Sequence, residues 1–305
     1  MVHRTRRGDR RDRTRLHRRP LPRIAPLTLV APRIRGTHMM HLDTIIAHKR
    51  RHWHSVDGLG PAPAERPQYK PAVRGRFREA LDTTEVSVIA EVKPKSPSKG
   101  DLWSVDKALP LAAAYQTGGA GAISVLADTE FFGGGPGLVA EVAATTDIPV
   151  LYKDFVVDLR QIELAHRTGA DGVLVIVRAL DRALLRDVIA AAAELGLDPL
   201  VETFTEDEIA RALDAGADLI GINNRDLQTF EVDLENSARL HGTVPEEVVT
   251  VSESGIRDRA DVATMAEIGF NACLVGETLL TSGDPAHAVA SLTGVSAKGR
   301  KPTVR

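Results

Sequence analysis

The chain is poor in aromatics, has one cysteine and lacks any long apolar run, and each shortage removes a class of explanation. With Phe, Trp and Tyr at 4% of 305 residues, a platform on which successive nucleic-acid bases stack is not expected. Cys273 has no second cysteine to pair with, which suits a reducing cytoplasm. No stretch of about 18 uncharged apolar residues occurs, so no membrane-spanning helix is expected. No His or Cys cluster joins the polar groups at the strand ends described below, which argues against a zinc site there.

Charge is unevenly spread. Residues 1–38 hold 12 Arg, no Lys and 2 Asp, a local charge of +10 in a chain whose total is −2. The remainder is therefore acidic. That argues against a nucleic-acid enzyme, because phosphate backbones are held mainly by clustered Lys and Arg. The first 38 residues show no sustained helical or strand period. Their apolar stretch around 24–31 is broken by Pro26 and Pro32, and no small-residue cleavage site follows, so a secretory signal is not indicated. We read 1–38 as an appended or mis-assigned extension, with the working chain starting at Met39 or Met40; a nucleic-acid-binding arm is the alternative. Residues 41–53 then read as an amphipathic helix with Leu42, Ile45 and Ile46 on one side. The proline-rich stretch 58–71 reads as a loop.

Beyond residue 85 a regular alternation begins. Short apolar, largely β-branched runs fall at 86–92, 122–126, 148–151, 172–177, 199–201, 219–222, 248–251 and 272–275. Near-continuous apolar runs are what parallel strands buried on both faces require. Between them lie amphipathic segments such as 182–195, 206–215 and 257–268. The junctions TGGAGA, TGADG, DAGADL and EIGFNA repeat one device, a glycine that ends the helix and turns the chain into the next strand. Eight such units predict an α/β fold, a closed (β/α)8 TIM barrel with an extra N-terminal helix over 39–292 and a tail at 293–305. An open doubly wound sheet would need a Gly-rich loop after its first strand, where Lys93-Pro94-Lys95-Ser96 stands instead.

Barrels of this kind place their chemistry at the C-terminal ends of the strands. Here those ends carry Glu91, Lys93 and Ser96 on the first strand, Lys153-Asp154-Phe155 on the third and Glu202 on the fifth. The sixth ends in Asn223-Asn224-Arg225-Asp226, the seventh in Ser252-Glu253-Ser254-Gly255 and the eighth in Gly276-Glu277. Any one of these has an ordinary structural reading as a salt bridge, a cap or a tight turn. Their coincidence on one face of the barrel points to acid–base chemistry. Loops after the last two strands often hold a phosphate on backbone N–H groups, which makes Ser254, Gly255, Gly276 and Glu277 candidate phosphate contacts.

Six phrases carry a family resemblance: IAEVKPKSPSKG at 89–100, SVLADTEFFGGG at 124–135, PVLYKDFVVDLRQI at 149–162, GINNRDLQTFEVDL at 221–234, VSESGI at 251–256 and LVGETLL at 274–280. In order and spacing they resemble indole-3-glycerol-phosphate synthase, from about Met40 to Val289. The resemblance implies closure and decarboxylation of 1-(2-carboxyphenylamino)-1-deoxyribulose 5-phosphate to indole-3-glycerol phosphate in tryptophan biosynthesis. It further implies no cofactor, no metal, a cytoplasmic enzyme and a monomer or weak homodimer, with a small phosphorylated molecule as the partner and neither nucleic acid nor membrane.

Carried across position by position, the resemblance makes Lys153 the general acid on the ketone oxygen and Glu202 its partner carboxylate. Lys93 meets the substrate's carboxylate or phosphate and serves as an acid in dehydration; Glu91 removes the proton that restores aromaticity. Asn223 positions hydroxyl groups, Arg225 supports carboxylates and Ser96 contacts substrate. Phe132, Phe155, Leu174, Leu200, Leu227 and Val275 form an apolar wall around the ring. The chain departs from the family pattern at Ala127, Gly135, Tyr152, Thr203 and Phe204, which places substrate affinity and loop closure in question; Gly133-Gly134-Gly135 is expected to loosen the loop after the second strand. Two other readings stay open: a paralogue acting on a related anthranilate–sugar phosphate, and a binding barrel that has lost catalysis.

Overall fold

A computed structural model describes residues 42–56, 58, 73–96 and 100–298. The reading of 1–38, nearly all of the 58–71 loop and the end of the tail lie outside the described residues. Eight parallel strands, β1 (Ser87–Val92), β2 (Ala122–Leu126), β3 (Val150–Lys153), β4 (Gly172–Ile176), β5 (Asp198–Thr203), β6 (Leu219–Asn223), β7 (Val249–Glu253) and β8 (Ala272–Val275), form a closed barrel. Each pairs with its neighbour in sequence, and β1 closes on β8 through Ser87 to Ala90 against Ala272 to Val275. The fold is the TIM barrel expected, with helix Leu42–Ser55 ahead of it. A two-stranded antiparallel hairpin, Lys95–Ser96 with Gly100–Asp101, follows β1.

Several strands run further than their apolar runs. β3 takes in Tyr152 and Lys153, β5 reaches from Asp198 to Thr203, and β7 extends to Glu253. An apolar-run criterion stops at the first polar side chain, whereas the backbone ladder continues past it. The register confirms the ladder, with Leu126 opposite Lys153, Ile176 opposite Glu202 and Asn223 opposite Glu253. Since side chains alternate along a strand, Lys153, Glu202 and Glu253 project at the mouth of the barrel on the same side as Leu151, Leu200 and Val251 below them.

The outer helices begin where a side chain can satisfy the first free N–H groups. Asp158, Asp181, Thr205, Asp258 and Asp284 each accept from backbone N–H groups of the helix they precede, each cap typically contributing ~1 kcal/mol. Capping by Asp258 explains why the helix expected at 257–268 starts at Arg259. Helix Arg76–Leu81 lies across the opposite end of the barrel. The buried Asp198 carboxylate accepts from the N–H groups of Gly75, Phe77 and Arg78 at 2.8, 2.9 and 3.0 Å. Val295 and Ala297 hydrogen-bond to Val86 and Thr84 just ahead of β1. That end is therefore sealed. Among the described residues, no helix is long and apolar enough to cross a membrane.

Candidate active site

At the C-terminal end of the strands lies a cavity of about 740 Å³, the size of a small-molecule site. Leu42 and Ile45 of the N-terminal helix roof it, and Phe132 and Phe155, in contact with ring centroids 5.8 Å apart, line one side of it. Its floor is charged. The Lys153 ammonium sits 3.3 Å from a Glu91 oxygen and 3.3 Å from a Glu253 oxygen, and Lys93 pairs with the other Glu91 oxygen. Glu202 lies beside Asn223 and Glu253.

These groups set one another's protonation. Burial disfavours the Lys153 cation, but Glu91, Glu253 and Glu202 outweigh it and raise its affinity for the proton. Burial alone would raise the Glu91 carboxyl; Lys93 and Lys153 overcome that and hold it down at about 2. Glu253 moves the other way. Burial dominates, Lys153 only partly opposes it, and Glu202 adds a like charge, so the carboxyl is pushed up to about 8. Glu202 is raised as well, burial again exceeding the pull of Lys153. Glu253 and Glu202 thus both resist ionisation, while Glu91 and Lys153 stay charged.

Glycine makes room for this packing. A Cβ on Gly221 would stand 2.0 Å from Oε1 of Glu253, and one on Gly276 would stand 2.6 Å from Oε1 of Glu91. Neither position can carry a larger residue without displacing a carboxylate.

The structure brings Lys153, Glu202, Lys93, Glu91, Asn223, Ser96, Phe132, Phe155, Leu174, Arg225, Leu227, Val275, Ser254, Gly255, Gly276 and Glu277 to the lining of one cavity. Leu200 is the correction. It is fully buried, lies two residues before Glu202 on β5 and does not line the cavity. It packs inside the barrel beneath Gly221, where a Cβ would come within 3.4 Å of it.

The triple glycine is also not built as a loose segment. Gly134 and Gly135 donate to Asp128 and Leu126 carbonyls at 2.9 and 3.1 Å, and a Cβ on Gly134 would overlap the Leu126 carbonyl oxygen. Those glycines serve close approach. Among the other departures, Thr203 hydrogen-bonds to the Gly221 carbonyl at 2.9 Å and Phe204 lies under Arg178. The Tyr152 hydroxyl is buried with no hydrogen-bond partner.

Glu253 has no role in the sequence reading, although it stands at the expected strand end. A signal was available: it occupies the same strand-end position as Lys153, Glu202 and Asn223. Lys49 is the other omission. It bridges Asp128 at 2.8 Å and Asp154 at 2.5 Å from the roof helix, and no local pattern marks a lysine whose partners belong to distant strands. Among the described residues, no group of three His, Cys, Asp or Glu is arranged to hold a metal ion.

Comparison with known proteins agrees with this architecture. The indole-3-glycerol phosphate synthase family profile matches residues 42–292. The indole-3-glycerol phosphate synthase of Ruminiclostridium cellulolyticum is 45% identical over 218 residues, covering 72% of this chain and 84% of the relative. That of Desulfotalea psychrophila is 41% identical over 254 residues, covering 82% and 97%. Among solved structures, the 3-hexulose-6-phosphate synthase of Salmonella typhimurium superposes with a TM-score of 0.58 at 17% identity, covering 68% of this chain and 96% of that one, a likeness of fold alone. With the family profile spanning the barrel and its roof helix, and full-length relatives above 40% identity, the chain belongs to the indole-3-glycerol phosphate synthase family.

Proposed function

We propose that the chain converts 1-(2-carboxyphenylamino)-1-deoxyribulose 5-phosphate to indole-3-glycerol phosphate with loss of CO2 and water, using the charged floor described above. The observation that carries this reading is a largely buried ammonium held between Glu91 and Glu253 beneath a cavity lined by two aromatic rings. Phe132, Phe155 and Leu174 enclose the anthranilate ring, while Ser254, Gly255, Gly276 and Glu277 take the phosphate at the loops after β7 and β8. Ser96 and Arg225 complete the polar contacts, Leu227 and Val275 the apolar ones.

In the first step the ring carbon bearing the carboxylate attacks the ketone, forming the new C–C bond. Lys153 supplies a proton to the oxygen as negative charge grows on it. Its raised proton affinity keeps it cationic until an oxyanion strong enough to take the proton has developed. Loss of CO2 from the same ring carbon returns the bonding pair to the ring. Glu202, beside Asn223, stabilises the cationic intermediates, and the raised proton affinity of Glu253 keeps the pocket from holding two adjacent negative charges.

In the dehydration, Lys93 protonates the departing hydroxyl and Glu91 takes the proton from the neighbouring carbon. Glu91 is a weak base while Lys93 is paired with it. Engagement of Lys93 by the substrate's carboxylate or phosphate removes that partner and makes Glu91 more basic when the step requires it. The single buried Cys273 fits a cytoplasmic setting, and the proposal includes a monomer or weak homodimer.

Lys153→Met tests the assignment, since Met keeps similar bulk without the charge. Turnover of the carboxyphenylamino-deoxyribulose phosphate is expected to fall about 10²-fold or more. Turnover within twofold of the parent would remove Lys153 from the proton transfer.

A further inference from the structure

Lys49 lies on the roof helix, outside the charged floor, yet its side chain is only 10% exposed. Its ammonium bridges two carboxylates that belong to different loops, Asp128 after β2 at 2.8 Å and Asp154 after β3 at 2.5 Å. Burial disfavours the cation, but Asp154 and Asp128 outweigh it, so Lys49 stays charged. Removing one partner of such a cluster leaves uncompensated buried charge, which makes the link costly to break.

Each aspartate does a second thing with its carboxylate. Asp128 Oδ1 accepts from the backbone N–H groups of Phe131 at 2.5 Å and Phe132 at 3.1 Å. Asp154 Oδ1 accepts from the Phe155 N–H at 2.8 Å, and its other oxygen accepts from Gln161 at 3.0 Å. The two residues thus held, Phe132 and Phe155, are the rings that line one side of the cavity, and Asp154 directly follows Lys153. On the helix itself, Leu42 and Ile45 precede Lys49 on the face that meets the cavity. One cation therefore ties together the roof and both rings of the aromatic wall.

We propose that Lys49 is a positioning residue for the ring-binding end of the site, bridging Asp128 and Asp154 so that Phe132, Phe155 and the roof helix close on an aromatic substrate. The inference rests on the reading that the cavity takes an anthranilate ring. It assigns Lys49 no contact with the phosphate, whose candidate residues lie on the loops after β7 and β8.

The test compares a ring-bearing ligand, indole-3-glycerol phosphate, with a ring-free one, glycerol 3-phosphate, as competitive inhibitors of the parent protein and of Lys49→Met. In Lys49→Met the ring-bearing ligand is expected to weaken about 10-fold or more, since small misplacements of positioning groups carry penalties of that order. Glycerol 3-phosphate is expected to stay within twofold, and Lys49→Arg to recover most of the loss. If Lys49→Met does not fold, the triple variant Lys49→Met, Asp128→Asn, Asp154→Asn removes the unpaired charge and answers the same question. Equal weakening of both ligands, or of neither, overturns the positioning role. A parent protein that turns over no substrate and binds glycerol 3-phosphate but not the indole compound overturns the functional reading, and this inference with it.

Discussion

Glu253 offers the most quantitative handle on the site, because its burial couples function to stability. Its carboxyl sits at about 8 in the folded protein against an ordinary 4.5. Between those values the folded protein keeps a proton that the unfolded chain has released. The native state then binds more protons than the unfolded one, and stability falls as pH rises from about 4.5 to 8. A shift of about 3.5 pH units corresponds to a ceiling of ~5 kcal/mol. The pull of Lys153, 3.3 Å away, is already contained in that net shift.

Glu253→Gln keeps the shape and removes the titration. Near pH 4.5 the variant and the parent should unfold with similar free energies, since Glu253 is then neutral in the folded protein. By pH 8 the variant should be the more stable, the gap having grown by roughly 2–5 kcal/mol. Urea unfolding of both proteins at several pH values from 5 to 8 reads this directly. A stability difference flat in pH would refute the reasoning.

Two further substitutions probe the packing around the floor. Gly221→Ala forces its Cβ against Glu253 Oε1; turnover should fall about 10-fold or more, and urea unfolding should show a loss of ~1–3 kcal/mol. Tyr152→Phe removes a buried hydroxyl with no partner. Unfolding free energy should stay level or rise by up to about 1 kcal/mol, with turnover within twofold.

The barrel was legible because eight buried parallel strands must each be apolar, and the loop after the first strand lacks the glycines that an open doubly wound sheet would place there. Strand ends were less legible. Tyr152, Lys153, Glu202 and Glu253 all belong to strands whose apolar runs stop before them, since polar side chains at the mouth interrupt hydropathy without interrupting the ladder. Most site residues could nevertheless be named, because the fold dictates where chemistry sits. Leu200 was misplaced for a reason of depth: along one strand, alternate residues share a direction but occupy successive layers, and only the uppermost reaches the cavity. Glu253 shows the converse. Its position at the strand end was visible, but its neighbours Ser252 and Ser254 make that end look like a turn, and the register beside Asn223 places its carboxylate on the charged floor. Lys49 was beyond sequence reasoning, because its meaning lies in two aspartates on loops that only the closed barrel brings together.

The central claim is that this charged, ring-lined cavity closes an indole ring. Its most direct test is to incubate the purified protein with 1-(2-carboxyphenylamino)-1-deoxyribulose 5-phosphate and follow indole fluorescence. The account predicts stoichiometric release of indole-3-glycerol phosphate and CO2, abolished or reduced about 10²-fold in Lys153→Met. Tight binding of that substrate without product would contradict it and leave a binding barrel in its place.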